Sequence, residues 1–206
     1  MSATDQVVPT GNTFDKYGSA NPVVRRLMAG FERNLDELLA RAAPDSILDV
    51  GCGEGVLTAR WAQRLGERPV VGIDLDDPEL AAEWAARRRA NLEFRVTRAG
   101  EGLAFPDGEF DLVAAIEVLE HVPDPGQTLS EMARVARRHL LVSVPREPLW
   151  RVLNLARGAY LRDLGNTPGH LNHWSRRGFE RLLARHGRVL EARAPVPWTM
   201  LLVEVG

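Results

Sequence analysis

The chain has 206 residues, 45% hydrophobic and 26% charged, the proportions of a folded domain with enough apolar material for its own core. A formal net charge of −2 argues against a dedicated nucleic-acid binder, whose domains are usually strongly basic. The single cysteine, Cys52, excludes an internal disulfide and fits a reducing, cytoplasmic location. Residues 1–9 lack the basic start and apolar stretch of a signal peptide. No run approaches the roughly 18 apolar residues of a membrane span, so no stable membrane insertion is expected.

Residues 1–20 are polar and rich in turn formers, and read as an arm. Asn21-Pro22 then supplies a helix cap followed by proline at the first helical position. Val24, Leu27, Met28, Phe31, Leu35, Leu38 and Leu39 repeat at helical spacing, and Pro44 is expected to end that helix. Strands and helices alternate from there. Strands are predicted at 47–50, 70–73, 92–96, 111–116 and 140–144. Helices are predicted at 55–65, from Asp77-Pro78 to about Arg89, and at 125–136. Four of the five strands are continuous apolar runs, as when helices cover both faces of a sheet. Such alternation predicts a parallel sheet with right-handed crossovers. Residues 148–164 and 175–185 carry two further helical patterns, the second with Ser175 as its cap and Gly187 as its stop. Residues 189–193 and 200–205 suit a final antiparallel pair.

Ligands of an open parallel sheet bind beyond the carboxyl ends of its strands. The first strand reaches Asp49 and runs into Gly51-Cys52-Gly53-Glu54-Gly55. Glycines there allow positive φ and close approach of a ligand, and the following helix presents N–H groups to an anionic group. A dinucleotide site would want a G-x-G-x-x-G spacing. Here Val56 takes the last glycine position, and Asp49 would repel a pyrophosphate while suiting an ammonium group. A ligand combining an amino acid and an adenosine fits both features. Asp74 closes the second strand, where an acid can accept both ribose hydroxyls. Its alternative role, capping the helix at Pro78, suits Asp77 better.

The ordered series 49–55 (Asp-Val-Gly-Cys-Gly-Glu-Gly), 71–74 (Val-Gly-Ile-Asp), 105–113 (Phe-Pro-Asp-Gly-Glu-Phe-Asp-Leu-Val) and 117–122 (Glu-Val-Leu-Glu-His-Val) resembles the class I S-adenosylmethionine-dependent methyltransferases. It is most similar to the small-molecule branch that includes ubiquinone and menaquinone methyltransferases. The resemblance covers about residues 45–145. It implies an α/β, Rossmann-like doubly wound sheet of seven strands, the last antiparallel, with helices on both faces. Residues 21–206 would form one methyltransferase domain, with 146–175 as an acceptor-side insertion. It implies S-adenosyl-L-methionine as cofactor and methyl transfer to a small organic acceptor at oxygen, nitrogen or carbon. By position, Asp49 would face the methionine ammonium. Gly51, Cys52, Gly53 and Gly55 would form the loop under the ligand, Asp74 would hold the ribose, and Leu75 and Ala99 would flank the adenine. Glu117 would lie near the methionine part. The family's usual acid for the adenine amino group is replaced here by Arg98, which cannot accept a hydrogen bond. Glu101 or a backbone carbonyl is left for that contact.

Acceptor-side candidates are His170 and His173, in the run before Ser175, and His121, in the fourth motif. Each is weighed as a base against a loop histidine bonded to backbone. No carboxylate lies close in sequence to the 170/173 pair, so no metal is expected. Phe14 and Tyr17 in the arm suit a lid over the cofactor. In 148–164, Leu149, Val152, Leu153, Ala156 and Tyr160 form an apolar stripe. It suits a buried helix face, a lid over a hydrophobic acceptor, a dimer face or a membrane-surface helix. Two other readings stay open: a nicotinamide-dependent oxidoreductase, and a cofactor-binding regulator or partner subunit without chemistry of its own.

Overall fold

The computed structural model describes residues 21–98 and 100–206. Helix α1 (Pro22–Ala42) starts where the Asn21 side chain accepts from the Val23 N–H at 2.9 Å. It ends at Ala43, whose left-handed backbone (φ 42°) stops the helix just ahead of Pro44. There follow β1 (Ile47–Val50), α2 (Val56–Leu65), β2 (Val70–Leu75), α3 (Pro78–Ala86), β3 (Leu92–Thr97), β4 (Phe110–Ile116), α4 (Pro125–Val135), β5 (Ala136–Pro145), α5 (Leu149–Ala156), α6 (Arg176–Leu183), β6 (Arg188–Arg193) and β7 (Trp198–Glu204).

The seven strands form one sheet in the order β3-β2-β1-β4-β5-β7-β6. Strands β1 to β5 pair in parallel, and β7 runs antiparallel to both β5 and β6. The expected Rossmann-like architecture, including the antiparallel last strand, is the one observed. Side chains alternate between the faces. Ile47, Val70, Leu112 and Leu141 pack with Phe31, Leu35 and Leu38 of α1 and Trp61 of α2. Leu48, Val71, Val113 and Val142 pack with Leu129 and Met132 of α4 and Phe179 of α6. Strand order reverses between β1 and β4, which opens a crevice at their carboxyl ends.

Two elements differ from the sequence expectation. Strand β5 begins at Ala136 rather than 140: the exposed Arg137 and Arg138 lie where the register with β4 shifts, and both pair with the Asp111 carboxylate. The helix expected over 148–164 stops at Ala156. Gly158 (φ 73°), Tyr160 (φ 53°) and Leu164 (φ 49°) are left-handed and flank a single 3-10 turn, Leu161–Asp163. The apolar stripe is not a buried face either: Val152 is 55% exposed, Leu153 37%, and Ala156 is exposed as well. The buried residue of α5 is Asn154, whose amide donates to the Gly165 carbonyl at 2.8 Å and the Thr167 hydroxyl at 3.2 Å. This polar anchor sets the roll of the helix and turns its apolar side outward.

Candidate cofactor and acceptor site

The turn after β1 is pinned to β2 by two N–H groups, of Gly51 at 2.8 Å and Cys52 at 3.0 Å, on the Ile73 carbonyl. Gly53 is held from two sides. Its N–H donates to the Asp74 carboxylate at 2.5 Å, and its carbonyl accepts from the Trp84 indole at 2.8 Å. At Gly53 (φ 53°) open space stands where a Cβ would be, so a ligand can lie directly on the backbone. Gly51 differs. A Cβ there would sit 2.6 Å from Val118, so this glycine makes room for the protein's own β4–α4 loop rather than for a ligand. Gly55 makes room in the same way for the Phe94 ring, which stacks on Trp84. The Cys52 sulfur turns back toward Gly72 of β2. Burial, then the charges of Asp49 and Asp74, push its thiol far above the ordinary range, which leaves it an inert packing group.

Asp49 pairs in register with Gly72. Asp74 lies two residues past Gly72, so the two acids point to the same face at adjacent strand ends. Asp49 is only 3% exposed and accepts from the Thr58 hydroxyl at 2.6 Å. Burial pushes its carboxyl up to about 7, with the Thr58 bond opposing and the Asp74 charge adding. Asp74 is also raised by burial, against the hydrogen bonds from the Gly53 and Leu75 N–H groups. A crevice with two desolvated acids on one wall favours a cationic group over a phosphate. Leu75 closes β2, half-buried, its N–H on Asp74 at 2.7 Å. Arg98 is 80% exposed and lies 3.7 Å from Glu101, so the remaining candidate for the adenine amino group is itself next to a cation. Ala99, Phe14 and Tyr17 lie outside the described residues.

Glu117 follows β4 in a left-handed conformation, φ 61°, uncommon for a non-glycine residue. Its carboxylate accepts from the Ser143 hydroxyl at 2.8 Å and the Trp198 indole at 2.7 Å, from β5 and β7. The three histidines, 49 residues apart in sequence between His121 and His170, come together. The His121 and His170 rings are 4.9 Å apart, and His170 and His173 6.4 Å. Trp150 of α5 lies 6.0 Å from His170. Nδ1 of His121 is 3.0 Å from the Gly169 carbonyl. Nε2 of His173 lies between the Arg151 guanidinium, at 3.0 Å, and the Asn166 side-chain oxygen, at 2.6 Å. Burial and then Arg151 lower the His173 pKa.

Thr58, Trp84, Ser143 and Trp198 had no mark in the sequence. Each serves a residue that was legible, from a distant element: Thr58 is set by the phase of α2, and Trp198 by the pairing of β7 with β5.

A protein-family model described as a methyltransferase domain matches residues 48–141. The ubiquinone biosynthesis O-methyltransferase of Saccharophagus degradans is 38% identical over 100 residues, 48% of this chain and 42% of that protein. The one from Pseudomonas paraeruginosa is 31% identical over 152 residues, 66% of this chain and 65% of that protein. The chain therefore spans less than two thirds of either relative. A solved S-adenosylmethionine-dependent methyltransferase from Aquifex aeolicus superposes with a TM-score of 0.68 at 20% identity, covering 90% of this chain and 94% of that one. Residues 48–141 are similar to methyltransferase domains, and the sheet is the one found in a solved S-adenosylmethionine-dependent methyltransferase.

Proposed function

We propose that this chain transfers a methyl group from S-adenosyl-L-methionine to a small organic acceptor, releasing S-adenosylhomocysteine. The observation that carries this reading is the pair Asp49 and Asp74, on one face at adjacent strand ends, flanking the open backbone at Gly53. The cofactor supplies an electrophilic methyl on its sulfonium; the protein's part is to bind, orient and exclude water. Asp74 would use the lone pairs left beside its Gly53 and Leu75 bonds to accept the ribose hydroxyls. Asp49 would balance the ammonium, Leu75 would cover one side of the adenine, and Glu117 would border the methionine part. Residues 146–175 would wall the acceptor, with His170 and His173 on that side of the crevice. The names of the two relatives favour an oxygen nucleophile, and the apolar surface of α5 favours a hydrophobic acceptor. The net charge of −2 gives no support to a nucleic-acid substrate. We place the protein in the cytoplasm on its lone cysteine; among the described residues no helix is long and apolar enough to cross a membrane.

Isothermal titration with S-adenosylmethionine and S-adenosylhomocysteine tests the site. Loss of the charge-assisted bonds in Asp74→Ala should weaken both by about tenfold to a hundredfold. A panel of phenolic and other small acceptors then tests transfer. Absence of binding at millimolar ligand would remove the proposal, and tight binding without turnover on any acceptor would favour a regulator instead.

A further inference from the structure

The sequence separates His170 from any nearby acid, yet the fold supplies one. Glu120, in the loop after β4, lies with His121 and His170 so that one ligating atom from each falls within 4.8 Å of the others. We propose that Glu120, His121 and His170 bind a divalent transition-metal ion, with zinc the ion best suited to the set. Two imidazoles and a carboxylate are the donors that borderline metals prefer, whereas magnesium and calcium want oxygen alone.

The geometry is built rather than incidental. The two loops that carry the three residues are stitched by main chain and side chain. The Leu171 and Asn172 N–H groups donate to the Glu120 carbonyl at 2.8 and 3.1 Å. The Asn172 amide donates to the carbonyls of Leu119 at 3.2 Å and Val122 at 2.7 Å. Nδ1 of His121 sits 3.0 Å from the Gly169 carbonyl. A carbonyl only accepts, so that contact places the proton on Nδ1 and leaves Nε2 as the ligating nitrogen, the usual arrangement behind a metal-bound histidine. Glu120 is 2% exposed and His170 9%. A tetrahedral zinc site needs ligand atoms about 3.3 Å apart, given bonds of about 2.0 Å. The three ligand atoms, within 4.8 Å of one another, would have to draw closer by up to about 1.5 Å on binding.

Three protein ligands leave a coordination position open, as in catalytic rather than structural sites. The site stands three residues beyond Glu117 and against Trp150, on the acceptor side of the crevice. An acceptor hydroxyl bound at the open position would lose its proton to water more readily; this last role rests on the methyl-transfer reading, while the site itself does not.

The test reads metal binding without turnover. Full-length protein stripped with a chelator is titrated with cobalt(II) chloride and followed by visible d–d absorption, then challenged with zinc. One cobalt per chain is expected, displaced by zinc, with affinity at least tenfold weaker in Glu120→Gln and His170→Gln and unchanged in His186→Gln. S-adenosylhomocysteine titration of the same samples reports separately whether the cofactor site is intact. In the wild-type chain, zinc should also protect His121 and His170, but not His186, from diethylpyrocarbonate, a readout that needs no variant to fold. No cobalt band in the wild type, equal affinity in the variants, or unprotected histidines would each overturn the assignment.

Discussion

At Asp49, protonation is expected to bear on stability and, through the proposed ammonium contact, on ligand binding. Burial pushes its carboxyl up to about 7, against about 4 for an ordinary aspartate. A carboxyl raised by folding makes the native state bind the extra proton between those values. Its stabilising contribution is therefore full below pH 4 and is lost as pH rises through 7. Asp49→Asn keeps an acceptor for Thr58 without the charge, and should stabilise the ligand-free protein at pH 8, by up to about 4 kcal/mol, and far less at pH 4. Urea denaturation at the two pH values measures this. Binding has the opposite sign, because an ammonium wants the ionised form. S-adenosylhomocysteine should bind about tenfold more weakly at pH 6 than at pH 8, and Asp49→Asn should flatten that slope while weakening binding at pH 8. Equal slopes in both proteins would detach Asp49 from the ammonium. The positions of Asp49 and Asp74 at strand ends were legible because strand period and glycine spacing are local. The different duties of Gly51 and Gly53 were not. They depend on Val118, which arrives from the β4–α4 loop 67 residues later.

At the scale of elements, α5 shows where periodicity stops being informative. Apolar spacing reports which residues share a helix face; it does not report whether another element covers that face. Here the buried contact is Asn154, satisfied by Gly165 and Thr167. Asn154→Ala would strand those buried acceptors and should cost about 1–3 kcal/mol. Val152→Ser, at a side chain of α5 that is 55% exposed, should stay within about 0.5 kcal/mol. Chemical denaturation of the two variants decides between this arrangement and an apolar-in helix, for which the ranking would reverse. The other helices were legible to within a few residues because their ends carry local chemistry. Asn21, Asp77, Asp124 and Ser175 each accept a backbone N–H at a helix start.

For the whole molecule, the two apolar layers and the crevice make separable contributions. The core clusters lie between helices and sheet and involve neither Asp74 nor Gly53. The fold can therefore stand without ligand, and ligand should add stability as a linked equilibrium rather than complete the core. At a hundred times its dissociation constant, S-adenosylhomocysteine should add about 2.7 kcal/mol, which for 206 residues raises Tm by about 5–10 °C. At that same concentration Asp74→Ala, binding tenfold to a hundredfold more weakly, should gain only about 0.4–1.4 kcal/mol. Its ligand-free Tm should move little by comparison, because the residue lies at the rim of the sheet. Thermal melts of both proteins with and without ligand separate the cases. An equal ligand-induced rise in the two would mean that the ligand lies somewhere other than across the ends of β1 and β2. A large fall in the ligand-free Tm of Asp74→Ala would mean that its bond to Gly53 holds the turn together, making the residue structural before it is a ligand contact.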